Sequence, residues 1–159
     1  MSAFVDILLV EDNQNDLDLA MHVLRREKLA NNIFVVRDGE EALDFLFCRG
    51  SFSERTIDHP PKLVLLDLKL PKVDGLEVLK ELKSDPRTKT IPVVIMTSSK
   101  EERDVIEGYN SGVNSFIQKP VDFDEFRRMV KSLGMYWLMV NQAPVADTGQ
   151  TPKTSGAIR

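Results

Sequence analysis

The chain has 159 residues, 42 % of them apolar, which suits one domain with a substantial core and argues against disorder. A formal charge of −4 and a pI near 5.3 leave no basic stripe for nucleic acid. No apolar run nears the roughly 20 residues of a membrane span, no signal-peptide pattern opens the chain, and the single Cys48 excludes an internal disulfide, so a soluble cytoplasmic protein is expected.

Strands and helices alternate along the sequence. Ile7-Leu8-Leu9-Val10 reads as a first strand running into Glu11-Asp12. Asn13 or Asn15 can cap a helix through Leu17, Ala20, Met21 and Leu24 to about Lys28. Ile33-Phe34-Val35-Val36 is the second strand, closed by Asp38-Gly39, and Ala42, Leu43, Leu46 and Phe47 make a short second helix. Residues 49–62, with Gly50, Pro60 and Pro61, read as a long loop whose Arg49, Arg55, His59 and Lys62 are either simply solvated or part of a specialised insertion. Leu63-Val64-Leu65-Leu66 runs into Asp67, and a third helix carrying Leu76, Val78, Leu79 and Leu82 stops before Asp85-Pro86. Val93-Val94-Ile95-Met96 runs into Thr97, a fourth helix spans about Glu101 to Ser111, and Phe116-Ile117-Gln118 runs into Lys119-Pro120. A fifth helix, capped by Asp122, carries Phe123, Phe126, Val130, Leu133, Trp137 and Val140. Residues 142–159 lack apolar periodicity and are expected to be a disordered tail behind a domain of residues 5–141.

Five strand–helix repeats imply an α/β fold, a doubly wound parallel sheet with right-handed crossovers. Polar groups follow strands one, three, four and five but not strand two, which suits a flavodoxin-like (βα)5 order of 2-1-3-4-5 with strand two at the edge. Ligands in such sheets bind beyond the carboxyl ends of the strands. Glu11, Asp12, Asp67, Thr97 and Lys119 would therefore converge. Three carboxylates at close quarters repel, and Mg²⁺ relieves that repulsion while leaving room for phosphate oxygens. Asp67 is then placed to act as a nucleophile toward an activated phosphoryl group, with Lys119 and Thr97 meeting its oxygens. A lone Asp after a strand is usually a cap, but four such positions at matching strand ends are not explained that way.

The segments Leu9-Val10-Glu11-Asp12, Leu65 to Gly75, Met96-Thr97-Ser98 and Phe116 to Pro120 resemble the receiver domain of two-component response regulators. The resemblance covers about residues 5 to 140. It implies that Asp67 accepts phosphate from a histidine kinase and that Glu11, Asp12, Asp67 and the backbone carbonyl of Lys69 hold Mg²⁺. Thr97 and Lys119 would bind phosphoryl oxygens, Lys119-Pro120 would be cis, and Phe116 would be the aromatic switch that turns inward as Thr97 moves. The surface of the fourth helix, fifth strand and fifth helix would change in response. The long 49–62 loop and the extended last helix resemble the stand-alone regulators paired with bacterial phytochromes. Such a protein is not an enzyme beyond its own phosphoryl transfer and has no attached output module. Met129, Tyr136 and Met139 lie off the main stripe of the last helix, which predicts a homodimer through that helix.

Three other readings fit less well. A haloacid-dehalogenase-type phosphatase needs an Asp two residues after the nucleophile, where this chain has Lys69. A flavodoxin-like cofactor binder needs a phosphate cradle, whereas residues 11–15 are acidic. A pseudo-receiver acting only as a binding module would lack a site residue, and none is missing.

Overall fold

The computed structural model describes residues 5–26, 32–98, 115–120 and 122–132. Five parallel strands, β1 (Ile7–Val10), β2 (Ile33–Val36), β3 (Leu63–Asp67), β4 (Val93–Thr97) and β5 (Ser115–Gln118), form one sheet in the order β2-β1-β3-β4-β5. This is the expected flavodoxin-like order. Helices α1 (Gln14–Arg26), α2 (Gly39–Leu46) and α3 (Gly75–Ser84) follow the first three strands, and a further helix, Phe123–Ser132, follows β5. The expected fourth helix lies outside the described residues. None of the helices among the described residues is long and apolar enough to cross a membrane.

Alternation along the strands divides the core into two layers, because successive side chains point to opposite faces. Leu8, Val10, Val64, Leu66, Val93 and Ile95 pack against α2 and α3. Ile7, Leu9, Leu63, Leu65, Val94, Met96 and Ile117 pack against α1 and the C-terminal helix. The central strands are covered on both faces, which is why they read as unbroken apolar runs.

Helix starts follow local chemistry. Asn13, rather than Asn15, caps α1 by accepting from the Asp16 amide at 2.9 Å. Asp38 caps α2, Asp74 caps α3 and Asp122 caps the C-terminal helix, each accepting from the amide three residues on. The Asp38-Gly39 pair is therefore a helix start as well as a strand end.

The 49–62 loop is largely exposed, with Arg49, His59 and Lys62 at the surface, but it contains a 3-10 turn at Gly50–Phe52 and packs Phe52 against Phe34 and Phe45, with ring centroids 5.6 and 5.2 Å away. Arg55 stacks on Phe45 with its guanidinium carbon 3.8 Å from the ring centre and also donates to the Phe45 carbonyl. Met129 does not lie off the buried stripe. It is 6 % exposed and packs in the same layer as Phe126, because the sheet-facing arc of a helix is wide enough to take both the i+3 and i+4 neighbours of one residue. Met129 is therefore covered by its own chain and not off the sheet-facing stripe, while Tyr136 and Met139 lie outside the described residues.

Candidate functional site

Strand register sets the site. Val10 pairs with Leu66, so Glu11 emerges level with Asp67; Asp67 pairs with Met96, and Thr97 with Gln118. The Lys119 amide donates to the Thr97 carbonyl at 3.0 Å, so the sheet ladder continues to the lysine. The Lys119-Pro120 peptide is cis, as expected. Four adjacent strand ends thus deliver Glu11, Asp67, Thr97 and Lys119 to one edge.

The loop after Asp67 is packed tightly enough to hold that carboxylate in place. A Cβ on Gly75 would fall 2.3 Å from the Asp67 carbonyl oxygen and 2.6 Å from Leu68 Cα, so only glycine fits there. The Gly75 amide donates to the Leu68 carbonyl at 2.9 Å, and the Gly39 amide to the Pro71 carbonyl at 3.2 Å. Lys72 adopts a left-handed backbone conformation at φ 68°, its ammonium 3.6 Å from both Asp38 and Glu40.

The Lys119 ammonium is the centre of charge in the cluster. Its Nζ lies 2.8 Å from Glu11 Oε1, 2.9 Å from Asp16 Oδ2 and 3.3 Å from Asp67 Oδ1. Burial pulls the lysine toward the neutral form, but contact with Glu11 and Asp16 and the field of Asp67 outweigh it and raise its pKa. Glu11 is fully buried, and burial pushes its pKa up to about 7 despite Lys119, with the Asp67 charge adding to the rise. Its Oε2 accepts from the Asn13 amide at 3.1 Å, whereas Oε1 meets Lys119 as a charge contact without hydrogen-bond alignment. Asp67 Oδ1 also accepts a long bond from the Lys69 amide at 3.4 Å. Thr97 is buried at 2 % exposure, and Phe116 is half-buried on the α2–α3 face.

The expected triad of carboxylates is only partly assembled. Glu11 and Asp67 converge, but Asp12 is exposed, and among the described residues no three acidic, His or Cys side chains stand in a metal-binding arrangement. The physical reason is that the buried acids take the nearest cation, Lys119, while Asp12 on the β1–α1 turn is stabilised by water. The donor set still fits a hard divalent cation: two buried carboxylates, one with an unaligned oxygen, beside an exposed third acid. Asp16 is the residue that the sequence reading missed. A signal existed, because helix N-termini in a parallel α/β fold lie at the carboxyl ends of the strands, and the Asn13 cap places Asp16 in the first turn there.

Residues 7–131 match the response regulator receiver domain family. Response regulator Rcp1 of Synechocystis is 39 % identical over 140 residues, spanning 88 % of this chain and 93 % of that protein, and has been solved in an Mn²⁺-bound form (TM-score 0.67, covering 87 % of this chain and 98 % of that one). The bacteriophytochrome response regulator AtBRR is 48 % identical, covering 89 % of this chain and all of that one with a TM-score of 0.80. The phosphorylated cyanobacterial phytochrome response regulator RcpA is 38 % identical over 90 % of this chain and all of that one, with a TM-score of 0.69. The chain belongs to the response regulator receiver domain family and is related to the phytochrome response regulators within it.

Proposed function

We propose that Asp67 is the phosphoacceptor of this response regulator. A carboxylate oxygen of Asp67 attacks the phosphorus of a kinase phosphohistidine; the O–P bond forms as the P–N bond breaks, and the imidazole leaves with the bonding pair and takes a proton. Glu11, Asp12, Asp67 and the Lys69 carbonyl would hold Mg²⁺, which would supply positive charge to neutralise the phosphoryl oxygens. Lys119 and Thr97 receive phosphoryl oxygens in the product. The chain catalyses only this transfer to itself. The observation that carries the reading is the buried Glu11–Lys119–Asp67 cluster beyond adjacent strand ends.

Movement of Thr97 toward the phosphoryl group frees space for the half-buried Phe116 ring to turn inward, which passes the signal to the surface around β5. The likeness to Rcp1, AtBRR and RcpA supports a bacterial phytochrome histidine kinase as the donor. The apolar surplus of Tyr136 and Met139, which lie outside the described residues, supports pairing of two copies through the segment after Ser132. Residues 142–159 lie outside the described residues, and their poverty in apolar side chains supports a receiver domain of residues 5–141. The test is direct: a kinase carrying labelled phosphohistidine transfers label to the wild-type chain and none to Asp67→Asn. Label retained by that variant contradicts the assignment.

A further inference from the structure

Lys119 has one more partner than phosphoryl chemistry requires. Its ammonium lies 2.8 Å from Glu11 Oε1 and 3.3 Å from Asp67 Oδ1 as charge contacts, and donates a hydrogen bond to Asp16 Oδ2 at 2.9 Å. Two of those carboxylates, Glu11 and Asp67, belong to the set proposed to hold a divalent cation. The third, Asp16, belongs to the first turn of α1, and its side chain is 34 % exposed. It bonds Lys119 across 103 residues of chain, joining α1 to the end of β5.

A divalent cation entering between Glu11 and Asp67 sets like charge against the ammonium that now touches both. Lys119 then has to withdraw from those oxygens. Its side chain is only 9 % exposed, so withdrawal without a counter-charge would leave a nearly buried cation unpaired, which is costly. Asp16 already holds one of its hydrogens and lies outside the carboxylate pair.

We infer that Asp16 is a positioning residue that keeps the Lys119 ammonium when a divalent cation takes Glu11 and Asp67, so that lysine and cation occupy one site together. The inference rests on the proposal that those two acids hold the cation. Without Asp16, Lys119 stays on Glu11 and Asp67 and competes with the incoming ion. Asp16 thus raises cation affinity through the lysine rather than through its own field.

Calorimetric titration of Mg²⁺ into the full chain tests this. Asp16→Asn should bind about five-fold more weakly, the upper range for a partly exposed ion pair. Asp16→Glu, which keeps the charge, should stay within about two-fold of wild type. The deciding comparison is made in Lys119→Ala, where adding Asp16→Asn should change nothing; Lys119→Gln serves if circular dichroism shows that the alanine variant is not folded. Unchanged affinity in Asp16→Asn, or an equal loss with and without Lys119, overturns the inference, the latter because it marks a plain field effect. Wild-type affinity in Asp67→Asn overturns instead the underlying assignment of the cation to that acid.

Discussion

Glu11 should make the stability of the protein fall as pH rises from about 5 to 7 in the absence of divalent ions. Its pKa stands near 7 in the fold against an ordinary 4.5, because the carboxyl is fully buried beside Asp67. Each tenfold change in proton affinity is worth about 1.36 kcal/mol, so folding gives up about 3 kcal/mol by ionising this group. The sign follows from linkage. A folded pKa raised above the unfolded one favours the native state fully below 4.5, and that contribution is lost by the time pH passes the folded value. Glu11→Gln removes the proton exchange while keeping the shape. Urea unfolding of both chains with chelator, at pH 5 and pH 8, should show the variant gaining on wild type by about 3 kcal/mol between the two pH values. Mg²⁺ should reduce that gain, since an ion held by the ionised carboxylate offsets the cost of its charge. A difference between variant and wild type that does not change with pH would show that Glu11 does not titrate differently in the folded and unfolded chains.

Other perturbations have equally defined outcomes. Gly75→Ala forces a Cβ to within 2.3 Å of the Asp67 carbonyl, where the obstacle is backbone and cannot swing away; thermal melting should report a loss of about 3 kcal/mol, with slower labelling of Asp67. Arg55→Ala removes both the stacking on Phe45 and the bond to its carbonyl, and urea unfolding should show a loss of about 2 kcal/mol. Light scattering at micromolar concentration should report twice the 18.0 kDa monomer mass, and Tyr136→Glu with Met139→Glu should return the monomer while Asp67 remains reactive. A wild-type chain that stays monomeric with and without a phosphoryl donor would contradict pairing through that segment.

How much was legible in the sequence depended on how far the deciding interaction reached. The four-residue apolar runs of β1, β3 and β4 are buried on both faces, so composition alone marked them, and the polar residue at each end marked the site edge. Helix caps act within three residues, so Asp122 is recognisable in the sequence, whereas Asp38 reads there as a turn and Asp74 as part of a loop motif until the helices are placed. Phe52 could not be, because the pocket between Phe34 and Phe45 is made by β2 and α2, and a Gly- and Pro-bounded segment looks like plain loop. Met129 was misplaced by following an i+4 stripe too narrowly, when the i+3 neighbour of Phe126 shares its buried face. Asp16 escaped notice because its partner lies 103 residues away. Asp12 follows Glu11 directly, yet the two residues differ fully in exposure, since adjacent positions at a strand end face different surroundings.

Intact mass after incubation with acetyl phosphate and Mg²⁺ decides whether Asp67 is the phosphoacceptor. The wild-type chain should gain the mass of one phosphoryl group, lose that gain when chelator replaces Mg²⁺, and show none in Asp67→Asn. A gain of the same size in Asp67→Asn, or none in wild type with Mg²⁺ present, would contradict the assignment of Asp67 as phosphoacceptor.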